Sequence, residues 1–230
     1  MYWYWDSTYI LVLIGAVISM IASMNVKSTF SRYSRPEFST RMTGRDVAEF
    51  MLRGAGIYDV RIEPTRGNLS DHYSPAEKVL RLSEGVYNST SVAAIGVAAH
   101  ECGHAIQHKE GYAPLKLRSA SVPVANFGSW LSLPLVIFGL ALGYAGLAQV
   151  GVFLFTFVVI FQLITLPVEF NASRRALAAL EGAGILDGEN LEGAGKVLRA
   201  AALTYVAALF SAVLQLLRLV LLARGSKRRD

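Results

Sequence analysis

The feature that most constrains this chain is a run of fifty residues, Ser119 to Val168, without Asp, Glu, Lys, Arg or His. A membrane-spanning helix needs about twenty apolar residues, so the run is long enough for two such helices and a turn. Buried helices of a soluble protein are the alternative, but a chain of 230 residues has no core large enough to enclose the whole run. We therefore predict a transmembrane hairpin over 119–168.

Two further uncharged stretches extend from Ser7 to Val26 and from Ala200 to Leu217. The first is long enough to cross a membrane, and the Tyr and Trp residues at positions 2–5 are typical of a membrane interface. A cleaved signal peptide is the alternative, but no basic residue precedes this stretch and no clear small-x-small cleavage site follows it. We predict a membrane anchor over 1–26. The other stretch predicts an apolar helix that either crosses the membrane or lies along its surface.

Charge and cysteine content favour a membrane partner and a reducing compartment. The net charge of +5 comes mainly from basic residues beside the apolar stretches, for example Lys27, Arg32 and Arg35 after the first and Lys227 in the tail. Such clusters indicate cytoplasmic flanks and anionic lipid rather than nucleic acid, so the lipid bilayer is the expected partner. A single cysteine, Cys102, excludes an internal disulfide.

The polar residues 27–118 predict a small α+β domain between the anchor and the hairpin. After a polar linker over 27–42, Thr43 is placed to cap a helix. The predicted elements are a helix over about 44–53, β-like segments at 57–62 and 79–82, and a helix from about 91 to 108. The pattern Val79-Leu80-Arg81-Leu82 predicts an edge strand, which could bind an extended peptide by strand addition. After the hairpin we expect a helix over 169–181 and a glycine-rich link over 182–195.

The sequence His100-Glu101-Cys102-Gly103-His104 predicts a zinc site on the helix over 91–108. Residues four apart share one face of a helix, with their side chains roughly 6 Å apart, which lets two imidazoles bind one zinc ion. Glu101 lies on the same turn, where its carboxylate can act as the general base on a zinc-bound water. Cys102 lies about 200° around the helix from His100 and is predicted to face the core.

Two histidines leave a catalytic zinc one protein ligand short. The metzincin pattern is excluded because Glu110 stands where its third histidine would be. His108 lies about 12 Å along the helix from His100, too far to bind the same metal ion. A glutamate from a downstream helix is the remaining solution, and Glu169 lies directly after the hairpin. An ordinary acid at the membrane interface is the alternative interpretation of Glu169.

Four segments of the chain resemble the YugP-like family of neutral zinc metallopeptidases. These segments cover residues 69–75, 97–108, 112–118 and 165–176. The chain is also similar, more distantly, to the heat-shock-type and prenyl-protein membrane zinc proteases, which take a glutamate ligand after a membrane hairpin. The resemblance implies that Glu169 is the third zinc ligand, that the fold is zincin-like and that the enzyme is a gluzincin-type metalloendopeptidase.

The same resemblance raises two questions about the surroundings of the zinc. The distant relatives carry an acid where this chain has Ser173, so we expect the partner of a zinc-binding histidine to come from elsewhere, with Asn171 and Asp71 as candidates. His72 could stabilise the developing oxyanion, a role that these enzymes give to His, Tyr or Arg, although an ordinary turn residue is the favoured interpretation.

The predicted fold is a mainly α membrane protein, with transmembrane helices and a small zincin-like α+β catalytic domain in the cytoplasm. The predicted domains are an anchor (1–26), a catalytic domain (27–118), a hairpin (119–168), a ligand helix with a linker (169–198), and an apolar helix with a basic tail (199–230). We expect a multi-pass plasma-membrane zinc endopeptidase with its active site facing the cytoplasm, acting on membrane-associated or unfolded proteins. The alternatives are a zinc-binding membrane scaffold and a metallohydrolase of a non-peptide bond; Glu101 argues against the first, since structural zinc needs four ligands and no base.

Overall fold

The computed structural model describes residues 7–226. Over these residues the protein is mainly helical, as predicted, with three short strands between the second and third helices. The α-helices and strands are α1 Tyr9–Tyr33, α2 Gly44–Gly54, β1 Arg61–Thr65, β2 His72–Ser74, β3 Val79–Ser83, α3 Glu84–Tyr87, α4 Val92–Lys109, α5 Ala113–Ala141, α6 Ala145–Gly182 and α7 Gly188–Ser226, with a short 3-10 helix, Pro36–Phe38, before α2. The aromatic positions 2–5 and the basic residue Lys227 lie outside the described residues.

Four helices, α1, α5, α6 and α7, are long and apolar enough to cross a membrane. In each of them at most 28% of the most apolar segment is buried inside the protein. Large apolar side chains such as Trp130 (75% exposed) and Phe153 (63% exposed) project from these helices. Apolar surface of this extent is stable in lipid rather than in water, which agrees with the predicted membrane protein.

Contacts divide the chain into two compact units. The first unit consists of the described parts of residues 1–23, 117–166 and 204–230. Glycines let its helices approach closely: a Cβ atom on Gly151 of α6 would lie only 2.5 Å from the carbonyl oxygen of Ser132 in α5. Close backbone contact at small residues is the usual basis of helix packing in lipid, where the hydrophobic effect contributes little.

A hydroxyl network joins α1 and α7 within this unit. The Ser211 Oγ donates to the carbonyl oxygen of Gly15, at 2.9 Å. The Ser19 Oγ lies 3.0 Å from the same Ser211 hydroxyl. Interhelical hydrogen bonds of this kind satisfy polar groups that would otherwise face hydrocarbon.

The second unit consists of residues 24–116 and 167–203 and contains the sheet. The strand order is β1-β3-β2, with β1 parallel to β3 and β2 antiparallel to it. The prediction that 79–82 forms an edge strand is therefore wrong, because β3 is the central strand. Arg81 suggested an edge, but its guanidinium pairs with Glu77 and Glu63 at the sheet surface. Its neighbours Leu80 and Leu82 are fully buried.

Three predicted helix boundaries also differ from the structure. The helix α1 continues to Tyr33, so the first part of the expected linker is helical. The helix α6 runs unbroken through Pro167, which membrane helices tolerate, so the hairpin and the predicted ligand helix are one element. The helix α7 begins at Gly188. A Cβ on Gly193 would lie 2.7 Å from ring atoms of Tyr33, so this glycine serves a helix contact rather than a flexible link.

The core of the second unit surrounds α4. Buried apolar side chains from α2, β3, α6 and α7 pack around this helix, and Ile95 and Cys102 of α4 are fully buried among them. The helix α4 approaches α6 closely, because a Cβ on Gly103 would lie 2.6 Å from the carbonyl oxygen of Ala172. Glycine at this position therefore sets the spacing between the helix that carries the two histidines and the helix that carries Glu169.

We predict that Gly103→Ala lowers the unfolding temperature of the purified protein in neutral detergent. The added methyl group meets backbone rather than a flexible side chain, and overpacking of this kind costs about 1–3 kcal/mol of unfolding free energy. Gly54→Ala is the matched control, because no atom lies within 4 Å of a Cβ there. An unfolding temperature equal in the two variants would show that α4 and α6 do not depend on this contact.

Candidate metal centre

The helix α4 presents His100 and His104 on one face. The hydroxyl of Ser91 caps the start of the helix by accepting a hydrogen bond from the Ala94 N–H, at 3.2 Å. The two imidazoles lie one turn apart with ring centroids 4.8 Å from each other. This is the arrangement that helix geometry predicts for residues four apart.

The side chain of Glu169 extends from α6 toward the imidazoles of His100 and His104. Its Oε2 lies 3.2 Å from the His100 Nε2 and 3.5 Å from the His104 Nε2. One donor atom from each of the three residues lies within 4.8 Å of the others, and Glu169 is only 2% exposed. The structure therefore brings together the three side chains that the sequence and the family resemblance name as metal ligands.

Both histidines are oriented through their other ring nitrogen. The His104 Nδ1 lies 3.0 Å from the Gln107 Oε1, and the His100 Nδ1 lies 3.1 Å from the Ser173 Oγ. An amide oxygen can only accept, so His104 donates from Nδ1, and its Nε2 is the ring nitrogen that points toward Glu169. Partners on the distal nitrogen are the usual way in which proteins fix metal-binding imidazoles.

The expectation that the histidine partner comes from a residue other than Ser173 is wrong for His100, and within the described part of the chain neither named candidate contacts a histidine of the site. A serine hydroxyl is shorter than a carboxylate, but the close approach of α4 and α6 brings it within hydrogen-bond distance of His100. Asp71 instead accepts hydrogen bonds from the backbone N–H and the hydroxyl of Ser83. Asn171 reaches the histidines only indirectly, because its Oδ1 accepts from the Gln107 Nε2, at 2.9 Å.

Gln107 is the residue that sequence reasoning missed. Its side chain is completely buried, and its Nε2 donates both to Asn171 and to the carbonyl oxygen of Val168, at 2.9 Å in each case. The amide thus links His104 directly to the backbone of α6, one residue before Glu169. The sequence feature that could have identified Gln107 is its position three residues after His104, on the same side of the helix.

Glu101 lies beside the two histidines and is 8% exposed. Within residues 7–226 its carboxylate has no hydrogen-bond or ion-pair partner, in contrast to the other groups of the site. Burial lowers the pKa of His104, but the hydrogen bond with Glu169 and the charge of Glu101 outweigh this effect, so the pKa is raised. The two carboxylates therefore favour a cation at this place.

The remaining candidates lie outside the cluster. His108 contacts the Tyr73 hydroxyl through its Nδ1, at 2.8 Å. The exposed His72 donates from Nδ1 to the carbonyl oxygen of Ser70, at 2.8 Å, when it carries a proton there. Cys102 is fully buried with its thiol near the Ala48 carbonyl oxygen, and burial raises the pKa of this thiol. The cysteine thus faces the core, as helix geometry predicts.

The donor set fits zinc. Two imidazoles and one carboxylate are a common protein ligand set for catalytic zinc, which keeps its fourth position for water or substrate. The distal partners hold the imidazoles in one orientation, and two carboxylates supply negative charge. A structural zinc site would need a fourth protein ligand, and the described residues place only three donors in this cluster.

Comparisons with known proteins agree with this geometry. The family model described as "Putative neutral zinc metallopeptidase" matches residues 8–224. The chain is 47% identical over 215 residues to the "Putative membrane protease YugP" of Bacillus subtilis (strain 168), covering 93% of this chain and 96% of that protein. No solved structure matches the chain with statistical significance. Because the family model spans almost the whole chain, the protein belongs to this family of neutral zinc metallopeptidases.

Proposed function

We propose that the protein is a membrane-bound zinc endopeptidase of the gluzincin type, in which His100, His104 and Glu169 hold the metal and Glu101 is the general base. The observation that carries the proposal is the convergence of the two Nε2 atoms on the Glu169 carboxylate, with each Nδ1 held by a separate partner. The family and the named membrane protease relative support a proteolytic role.

Each residue of the site then has a defined task. Bound zinc supplies an electrophile for the peptide carbonyl and a water whose pKa is lowered to about 7. The carboxylate of Glu101 takes the proton of the attacking water and gives it to the nitrogen of the leaving amine. Gln107 and Ser173 keep His104 and His100 in the orientation that directs their Nε2 atoms toward the proposed metal position beside Glu169.

The proposed substrates are membrane-associated or unfolded proteins at the cytoplasmic face of the plasma membrane. The support is the charge distribution: Lys27, Arg32 and Arg35 follow the first apolar stretch, and basic residues are retained on the cytoplasmic side. Four helices that are long and apolar enough to cross a membrane support this proposal, because membrane-associated chains are within reach of an enzyme held in the bilayer.

Replacing Glu101 by Gln is expected to abolish peptide cleavage while zinc stays bound. The amide cannot accept the proton, so cleavage of casein or a fluorogenic peptide should fall at least about 100-fold. Zinc content, measured by elemental analysis on the same preparation, should stay at that of the wild type. Cleavage at the wild-type rate would rule out Glu101 as the base and would favour a zinc-binding scaffold whose activity belongs to a contaminant.

Replacing Glu169 by Ala is expected to reduce the zinc content of the purified protein, because two imidazoles alone hold the ion weakly. Glu181→Ala, an exposed position near the end of the same helix, is the matched control and should retain zinc. Both variants are compared by elemental analysis after dialysis against a weak chelator. Undiminished zinc in Glu169→Ala would identify a different third ligand.

Replacing Gln107 by Leu is expected to weaken zinc affinity about 10- to 100-fold, the usual effect of removing the partner of a metal-binding histidine. The measurement is competition with a chromogenic zinc chelator, which does not depend on activity. Gln149→Leu makes the same chemical change at an exposed position and should leave the affinity unchanged. Equal affinities in the two variants would mean that the orientation of His104 does not depend on Gln107.

A further inference from the structure

A groove of about 260 Å³ lies between the end of α1 and the beginning of α7, within the second unit. At one end its walls carry three cationic side chains, Arg32 from α1 and Lys196 and Arg199 from α7. At the other end they carry Asn25 and Leu203. The groove is therefore cationic at one end and largely uncharged at the other.

The position of the groove along both helices corresponds to the edge of the bilayer. The uncharged stretch of α1 ends at Val26, and that of α7 begins at Ala200. Asn25 and Leu203 lie inside these stretches, whereas Arg32 and Lys196 lie outside them. The groove thus spans the level at which hydrocarbon gives way to lipid headgroups.

The three cations exceed the negative charge around them. Lys196 pairs with Glu192, with 2.7 Å between its Nζ and the carboxylate. The Arg199 Nε donates to the Gly195 carbonyl oxygen of its own helix, at 3.2 Å. The Arg32 guanidinium lies 5.7 Å from the centre of the Tyr33 ring, which carries no charge. Since Glu192 is the acid that pairs here, the groove retains a net positive charge for an anion.

We propose that this groove binds the phosphate headgroup of an anionic phospholipid, with the first part of its acyl chain along the Leu203 end. Guanidinium and ammonium groups are the usual ligands of phosphate, and basic pockets between membrane helices bind acidic headgroups. A free phosphate ion would use the cations equally well. It would make no use of the uncharged end where Leu203 lies, and the position at the bilayer edge favours the lipid.

A ligand in this groove contacts α7, and α7 packs against α4, the helix that carries His100 and His104. The opposite side of α7 belongs to the core of the second unit through Ala194, Val197 and Leu198. A Cβ on Gly96 of α4 would lie 3.4 Å from the Ala194 Cβ, so α7 and α4 are in direct contact. A bound lipid that holds α1 and α7 together therefore raises the unfolding temperature of this unit.

The test is a lipid titration of the purified full-length protein in neutral detergent. Phosphatidylglycerol, phosphatidylcholine and inorganic phosphate are added separately, and binding is followed by native mass spectrometry and by thermal unfolding. We expect one phosphatidylglycerol to be retained in preference to phosphatidylcholine and to raise the unfolding temperature. If inorganic phosphate at the same concentration stabilises the protein equally, the groove is a site for free phosphate and the lipid proposal is overturned.

Two triple variants separate a defined site from general attraction of a basic protein to acidic lipid. Arg32→Gln/Lys196→Gln/Arg199→Gln removes the groove cations and should weaken phosphatidylglycerol binding at least about tenfold. Lys27→Gln/Arg35→Gln/Arg41→Gln removes the same charge from exposed positions outside the groove and should change the affinity less than about twofold. Equal losses in the two variants, or no loss in the first, would overturn the proposal. All six side chains are exposed, and unfolding without added lipid verifies that both variants are folded.

Discussion

The close approach of α4 and α6 is the constraint on which the site depends. Gly103 lets the backbone of α4 meet the carbonyl oxygen of Ala172. At that spacing, side chains as short as a serine hydroxyl and a glutamine amide reach across between the helices. A wider spacing would leave His100 without its partner and would move Glu169 away from both imidazoles. The position of the three donor atoms is therefore fixed by backbone contact before any ion contributes.

This contact also explains why so many polar groups can be buried together. Glu169, His104 and Gln107 are each less than 10% exposed, and burying such groups without partners would be costly. Gln107 uses its amide oxygen and both of its N–H groups, which joins the two helices through one completely buried side chain. Among the buried polar residues of this site, Glu101 is the one whose carboxylate has no protein partner within residues 7–226. A carboxylate in that state is available to a water molecule or a substrate, which is what proton transfer requires.

The sequence was most informative where one physical rule decides the outcome. The uncharged runs predicted the long apolar helices, and the four-residue spacing predicted that His100 and His104 share one face. The edge-strand prediction failed because the position of a strand in a sheet depends on its neighbours, which the pattern around Arg81 does not contain. Ser173 escaped prediction for a similar reason, since its contact depends on the distance between two helices that are far apart in sequence. The contact of Gln107 with α6 has the same dependence, whereas its contact with His104 is local.

The environment of Cys102 has a practical consequence for experiments on this protein. Cys102 is the single cysteine of the chain, and its thiol is fully buried in the core. This burial raises the pKa of the thiol. Maleimides and oxidants react with the exposed thiolate, so they leave Cys102 of the folded protein unmodified. A cysteine introduced on any exposed surface is then the one reactive thiol of the native chain. Spectroscopic labels can therefore be attached on either side of the bilayer without first removing the native cysteine.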